Sequence, residues 1–156
     1  VHWSADTRLL VTGSDDRCVN LWHFDGDGRI ADGADDAPAA SLKTTHRHNI
    51  FDAQLTRCQQ WIVSCGADGC VCLTQVEGSQ RRRLYEPEMG HYMASKVAFA
   101  PHFGGDAFLV TFGDGRVRLF DLREPEHRVA VSTGEVGLCG IELRPTDGVT
   151  LAIGGN

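Results

Sequence analysis

No stretch of this sequence approaches the ~20 consecutive apolar residues a membrane-spanning helix requires. A membrane partner is therefore not expected. Basic charge is scarce too: 15 Lys and Arg stand against 21 Asp and Glu, a formal net charge of −6. Nucleic-acid binding rests on Lys and Arg neutralising phosphates, so this balance argues against a nucleic-acid partner. The motifs of catalysis are missing as well. There is no Gly-x-Ser-x-Gly nucleophile turn, no phosphate-cradling glycine loop and no Cys-x-x-Cys knuckle. Neither enzymatic activity nor a cofactor or bound metal is expected. Val1-His2-Trp3 carries no signal-peptide pattern and no initiator methionine, which suggests that the sequence starts inside a longer protein. No segment has the period of an amphipathic helix.

What the chain does have is ordinary globular composition over 156 residues, with 42% hydrophobic and 23% charged residues. Of its six cysteines, Cys18, Cys70 and Cys72 lie in strand-like runs, as reduced structural cysteines often do. Nothing points to secretion, so a reducing compartment is expected, the nucleus or the cytoplasm.

The main feature is a repeat. The stretches "TGSDDRCVNLW" (12–22), "SCGADGCVCLT" (64–74) and "TFGDGRVRLF" (111–120) align with one another. Each has small residues, an aspartate, and a strand with aliphatics at its second and fourth positions. The equivalent aspartates are Asp16, Asp68 and Asp114, which lie 52 and then 46 residues apart. A further copy begins at "LAIGGN" (151–156). Strands also precede these hairpins at 49–55, 95–101 and 138–145, and looser fourth strands are expected at 40–45, 82–86 and 128–133. Periods of 40–50 residues built from short strands indicate a β-propeller. The expected fold is all-β, with about three and a half four-stranded antiparallel blades at roughly 1–45, 46–90, 91–136 and 137–156, the last incomplete.

Gly90-His91, Asp114 and the strand ending Phe120-Asp121 resemble the Gly-His and Trp-Asp signatures of WD repeats. Thr12, Asp16 and Trp22 fit in the first copy, as do His46, Ser64 and Asp68 in the second. The resemblance implies that these His, Ser/Thr, Asp and Trp side chains tie the strands of a blade together, a structural role. A half-buried His or Asp needs such partners, because an unpaired one costs stability. The pattern is broken by Thr74, which stands where Trp belongs, and by the third copy, where Thr111 or Val110 could take the hydroxyl position.

The order of "THRHNIFDAQL", "ADGCVCL", "FDLREP", "VGLCGIELRP" and "LAIGGN" is similar to that in the WD-repeat substrate receptors of cullin-4 ubiquitin ligases. The similarity is to the branch that includes the tetratricopeptide-containing WD adipose regulator. It implies a non-catalytic receptor that docks on the ligase adaptor and holds a protein substrate. The docking box of such receptors reads Trp-Asp-x-Arg; here it is Phe120-Asp121-Leu122-Arg123. Arginine suits the task, since its planar fork makes paired hydrogen bonds and is weakly hydrated. The bland alternative is an exposed ion pair worth little. The rival function is a general WD-repeat scaffold of another complex, in chromatin or trafficking, with no ligase link.

Three segments stand outside the repeat. Residues 25–41, "DGDGRIADGADDAPAAS", hold five Asp and no aromatic, and read as a flexible acidic insertion rather than a calcium loop, whose Asp-x-Asp-x-Asp-Gly spacing they lack. Arg81, Arg82 and Arg83 form a basic cluster, read as the solvated face of an edge strand rather than an anion site. Cys65, Cys70 and Cys72, with His46 and His48, could suggest zinc, but packing between blades accounts for the thiols.

Overall fold

The computed structural model describes all residues except 32–36, 89–91, 104–105, 135, 145 and 156. Strands β1 (His2–Trp3), β2 (Leu9–Gly13), β3 (Cys18–His23) and β4 (Ala40–Lys43) form one four-stranded sheet in chain order. The second sheet holds β5 (Ile50–Leu55), β6 (Trp61–Gly66), β7 (Val71–Gln75) and β8 (Arg81–Tyr85). The third holds β9 (Ala94–Phe99), β10 (Ala107–Phe112), β11 (Arg116–Asp121) and β12 (Arg128–Ser132). Strands β13 (Leu138–Leu143) and β14 (Leu151–Gly155) pair as half a sheet. All neighbours are antiparallel. The only helix among the described residues is a single 3-10 turn at Pro101–Phe103.

The expected strands are present, and their register explains the sequence repeat. Thr12 pairs with Asn20, Ser64 with Cys72 and Val110 with Arg118. The third hydroxyl position is therefore filled by Val110, and Thr111 faces the other way. Phe51, Ser95 and Cys139 are each skipped in the pairing of a first strand with its second, so the same bulge recurs in three sheets. Such bulges add local twist.

The sheets stack face to face through three apolar seams. Val11, Val19 and Leu21 meet Ile50, Ala53, Leu55 and Ile62 in the first. Val63, Cys65, Val71 and Leu73 meet Ala94, Val97, Phe108, Val110, Phe112 and Phe120 in the second. Ala98, Ala100, Leu109 and Val117 meet Leu138, Ile141 and Leu143 in the third. Adjacent residues in one strand thus serve different seams: Ile62 faces one neighbour and Val63 the other. This is why "WIVSC" and "AFLVTF" are apolar without alternation. A strand covered on both faces has no solvent side. Each large apolar side chain buried there contributes about 1.5–3 kcal/mol.

At the β9 edge of the third sheet, two side chains of β5 take up backbone hydrogen bonds that a further strand would otherwise make. Asp52 Oδ2 accepts the Val97 N–H at 3.1 Å, and Gln54 Nε2 donates to the Val97 carbonyl at 2.7 Å. Lys96 Nζ lies 3.2 Å from the same carboxylate oxygen, and Asp52 is only 1% exposed. The clasp satisfies edge backbone groups that burial would otherwise leave unpaired.

Candidate protein-interaction surface

Each hairpin turn between second and third strands is built by its aspartate. Oδ1 of Asp16, Asp68 and Asp114 accepts the N–H two residues on, from Cys18 (2.8 Å), Cys70 (3.1 Å) and Arg116 (3.1 Å). The intervening residue is left-handed in all three, with φ of 68° at Arg17, 71° at Gly69 and 78° at Gly115. A Cβ on Gly69 would lie 2.6 Å from the Tyr92 carbonyl oxygen, so glycine is required there.

The side-chain networks differ from blade to blade. In the second sheet, His46 is buried with Nδ1 2.9 Å from Asp68 Oδ1 and Nε2 3.0 Å from Ser64 Oγ. Burial alone would lower the imidazole pKa, but the hydrogen bonds and charges of Asp68 and Cys72 together outweigh it and bring it up to about 9. Burial would raise Asp68; the bonds from His46 and the backbone N–H of Arg47 and Cys70 instead hold it far below the usual carboxylate range. In the first sheet, Trp22 Nε1 donates to Thr12 Oγ1 at 3.2 Å. In the third, Asp114 is gripped by Arg118, with Nη2 2.7 Å from Oδ2 and Nη1 3.3 Å from Oδ1. That guanidinium is buried over the rings of Phe112 (4.3 Å) and Tyr85 (5.1 Å). His91, expected to pair with Asp114, lies outside the described residues.

The segments outside the repeat find plain places. Cys65, Cys70 and Cys72 are buried, Thr45 Oγ1 donates to Cys72 Sγ at 3.1 Å, and burial pushes the Cys70 thiol up to about 12. Arg81 and Arg82 are exposed, whereas Arg83 donates to the Thr45 carbonyl (2.6 Å) and Glu86 (2.7 Å). The start of the acidic insertion is organised: Asp25 Oδ1 accepts N–H groups of Asp27 and Arg29, both at 2.9 Å, and Phe24 bridges to Ile30. Residues 32–36 lie outside the description.

The box sits where β11 leaves the sheet, at the end that also carries the turns between first and second strands. Phe120 is 4% exposed and stacks on Phe108 at 5.2 Å between ring centroids and on His127 at 5.3 Å. The ring is enclosed in the seam and supports the box from within. Leu122 is partly buried against the same cluster. Asp121 Oδ1 accepts Arg123 Nε at 2.8 Å and the Arg123 backbone N–H at 3.0 Å, and Oδ2 accepts Nη2 at 2.5 Å. Nη2 also donates to the Phe103 carbonyl at 3.3 Å. The arginine side chain stays 60% exposed while that of Asp121 is 14% exposed. The Arg123 hydrogen bond holds the Asp121 carboxyl down to about 2. By register, His23 and Gln75 are the counterparts of Asp121. Two positions on, at the places of Arg123, stand Asp25 and Glu77, so the first two sheets have no such fork.

Three groups escaped the sequence reading. Arg118 sits in an alternating run and reads as solvent-facing. Asp52 and Gln54 read as the start of a strand. Phe103 belongs to a turn with no repeat counterpart.

Fold and turn chemistry define a class, the WD-repeat propeller blade, and the comparisons agree. Residues 1–23 and 39–74 match the family model described as WD domain, G-beta repeat. It is 26% identical to the WD repeat protein iqw1 of Schizosaccharomyces pombe over 99% of its own length and 20% of that protein's. It is 32% identical to the human DDB1- and CUL4-associated factor 5 over 77% of its length, and equally to the mouse protein. The chain spans 12% of each of those two proteins.

Proposed function

We propose that the chain belongs to a non-catalytic interaction scaffold, the substrate receptor of a cullin-4 ubiquitin ligase, which docks on the DDB1 adaptor through Asp121 and Arg123. The observation that carries this reading is the Arg123 guanidinium, clamped along one edge by Asp121, tied to the Phe103 carbonyl and still largely exposed to solvent. A flexible arginine loses rotamer freedom when it binds; one already held by its neighbour loses less. The names of the human and mouse relatives, which pair with DDB1 and CUL4, support the choice of adaptor. A protein substrate would be held elsewhere on the propeller or on flanking segments. The receptor then acts by raising the substrate's effective concentration at the ligase.

The test is co-purification of DDB1 with the full-length protein that contains this chain, as wild type, Arg123→Ala and Arg123→Lys. The reading expects loss with alanine and partial recovery with lysine, which keeps the charge and lacks the fork. Equal recovery of DDB1 with all three would reject it.

A further inference from the structure

We infer that Phe103 is a second anchor of the same docking surface, paired with Arg123; this rests on the docking reading above. The turn that carries it departs from its counterparts. In the first two sheets the backbone closes between Ser4 and Leu9 and between Thr56 and Trp61. In the third it closes between Ala100 and Ala107, over a longer loop. In the shorter turns, the Ser4 and Thr56 hydroxyls accept the N–H of Leu9 (2.9 Å) and Trp61 (3.2 Å). Alanine at position 100 offers no such hydroxyl.

The extra length brings the Phe103 carbonyl to Arg123 Nη2, which fixes the two residues relative to each other. It also leaves Phe103 49% exposed. The corresponding turns hold Ala5, Asp6 and Thr7, or Arg57, Cys58 and Gln59, with no aromatic. Among the described residues Arg123 Nη1 has no acceptor. Together these groups present the N–H groups of Arg123 Nη1 beside one apolar ring. The partner they fit has a carboxylate or carbonyl acceptor next to an apolar pocket wide enough for a phenyl group. Aromatic and arginine side chains at the centre of an interface carry most of its energy.

The experiment is titration of purified DDB1 against the full-length protein, as wild type, Phe103→Ala, Phe103→Leu and Arg123→Ala, with a melting curve for each. Phe103→Ala should weaken binding roughly tenfold or more, with little change in melting temperature, and Phe103→Leu should keep most of the affinity. Wild-type affinity in Phe103→Ala alongside loss in Arg123→Ala overturns the Phe103 anchor and leaves the docking reading standing. Unchanged affinity in both variants, or no binding by wild type, overturns both. Should Phe103→Ala unfold, Phe103→Gln replaces it under the same criteria, since it keeps side-chain length and the backbone carbonyl while removing the apolar ring.

Discussion

Arg118 and Asp114 face each other through two hydrogen bonds, of 2.7 and 3.3 Å, inside the seam between the second and third sheets. Their guanidinium–carboxylate pair stands where the second sheet uses His46 and Asp68. The third sheet has Val110 where the second has Ser64, so the hydroxyl partner of the histidine-centred set has no counterpart there. Removing the arginine would leave the largely desolvated Asp114 carboxylate with only Arg116, whose backbone N–H it accepts and whose guanidinium lies 4.0 Å away, and would strip a cation from two ring faces. Arg118→Ala is therefore expected to cost about 3 kcal/mol or more. Urea unfolding of the full-length protein measures it, and a loss below about 1 kcal/mol would show that the pair is incidental.

The His46–Asp68 pair predicts a pH dependence of definite sign. His46 has a folded pKa raised from 6.5 to about 9, so its contribution is fully present below pH 6.5 and is lost as pH rises through 9. Asp68 is depressed from 3.8, so its contribution is present above that value and fades as pH falls through the lower folded one. The pair stabilises most between these limits. Melting temperature recorded from pH 6 to pH 10 should fall in wild type and fall less in His46→Gln. Parallel curves would contradict the assignment.

Arg17 adopts φ of 68° at the place where the other two turns have Gly69 and Gly115. A non-glycine residue pays about 1–2 kcal/mol for that conformation, while glycine adds entropy to the unfolded chain. Arg17→Gly should thus raise stability by about 0.5–1 kcal/mol, seen as a higher melting temperature. A fall would mean that the arginine side chain makes a compensating contact.

The blades were legible because two local signals repeat: period-two strands and an aspartate followed by a left-handed residue. Both act within a few residues. What the sequence hid depends on contacts between blades. Arg116 and Arg118 look alike in "RVRLF", yet their side chains are 53% and 6% exposed, because the next sheet covers one face of β11. Asp52 and Gln54 look like polar edges of "NIFDAQL"; their partner is the Val97 backbone, far along the chain. Phe120 reads as part of a docking box because the motif says nothing of which way its ring turns. The box singles out Asp121 and Arg123 as candidates, and the geometry adds the clamp between them.

That clamp yields a prediction separate from the arginine itself. Asp121→Asn keeps a turn-capping oxygen but weakens the charge-assisted bonds to Nε and Nη2. Stability should change by less than about 1 kcal/mol, as for other exposed pairs. DDB1 affinity should fall about tenfold, since the fork must then be ordered on binding. Isothermal titration alongside thermal melts separates the two effects.

The most direct measurement is the equilibrium affinity of purified DDB1 for the full-length protein with Arg123 intact and with Arg123→Ala, both confirmed to melt at the same temperature. Loss of an interface anchor predicts a dissociation constant roughly thirtyfold higher in the alanine variant, from about 2 kcal/mol of binding energy. Equal dissociation constants in two equally folded proteins would contradict the docking role of Arg123.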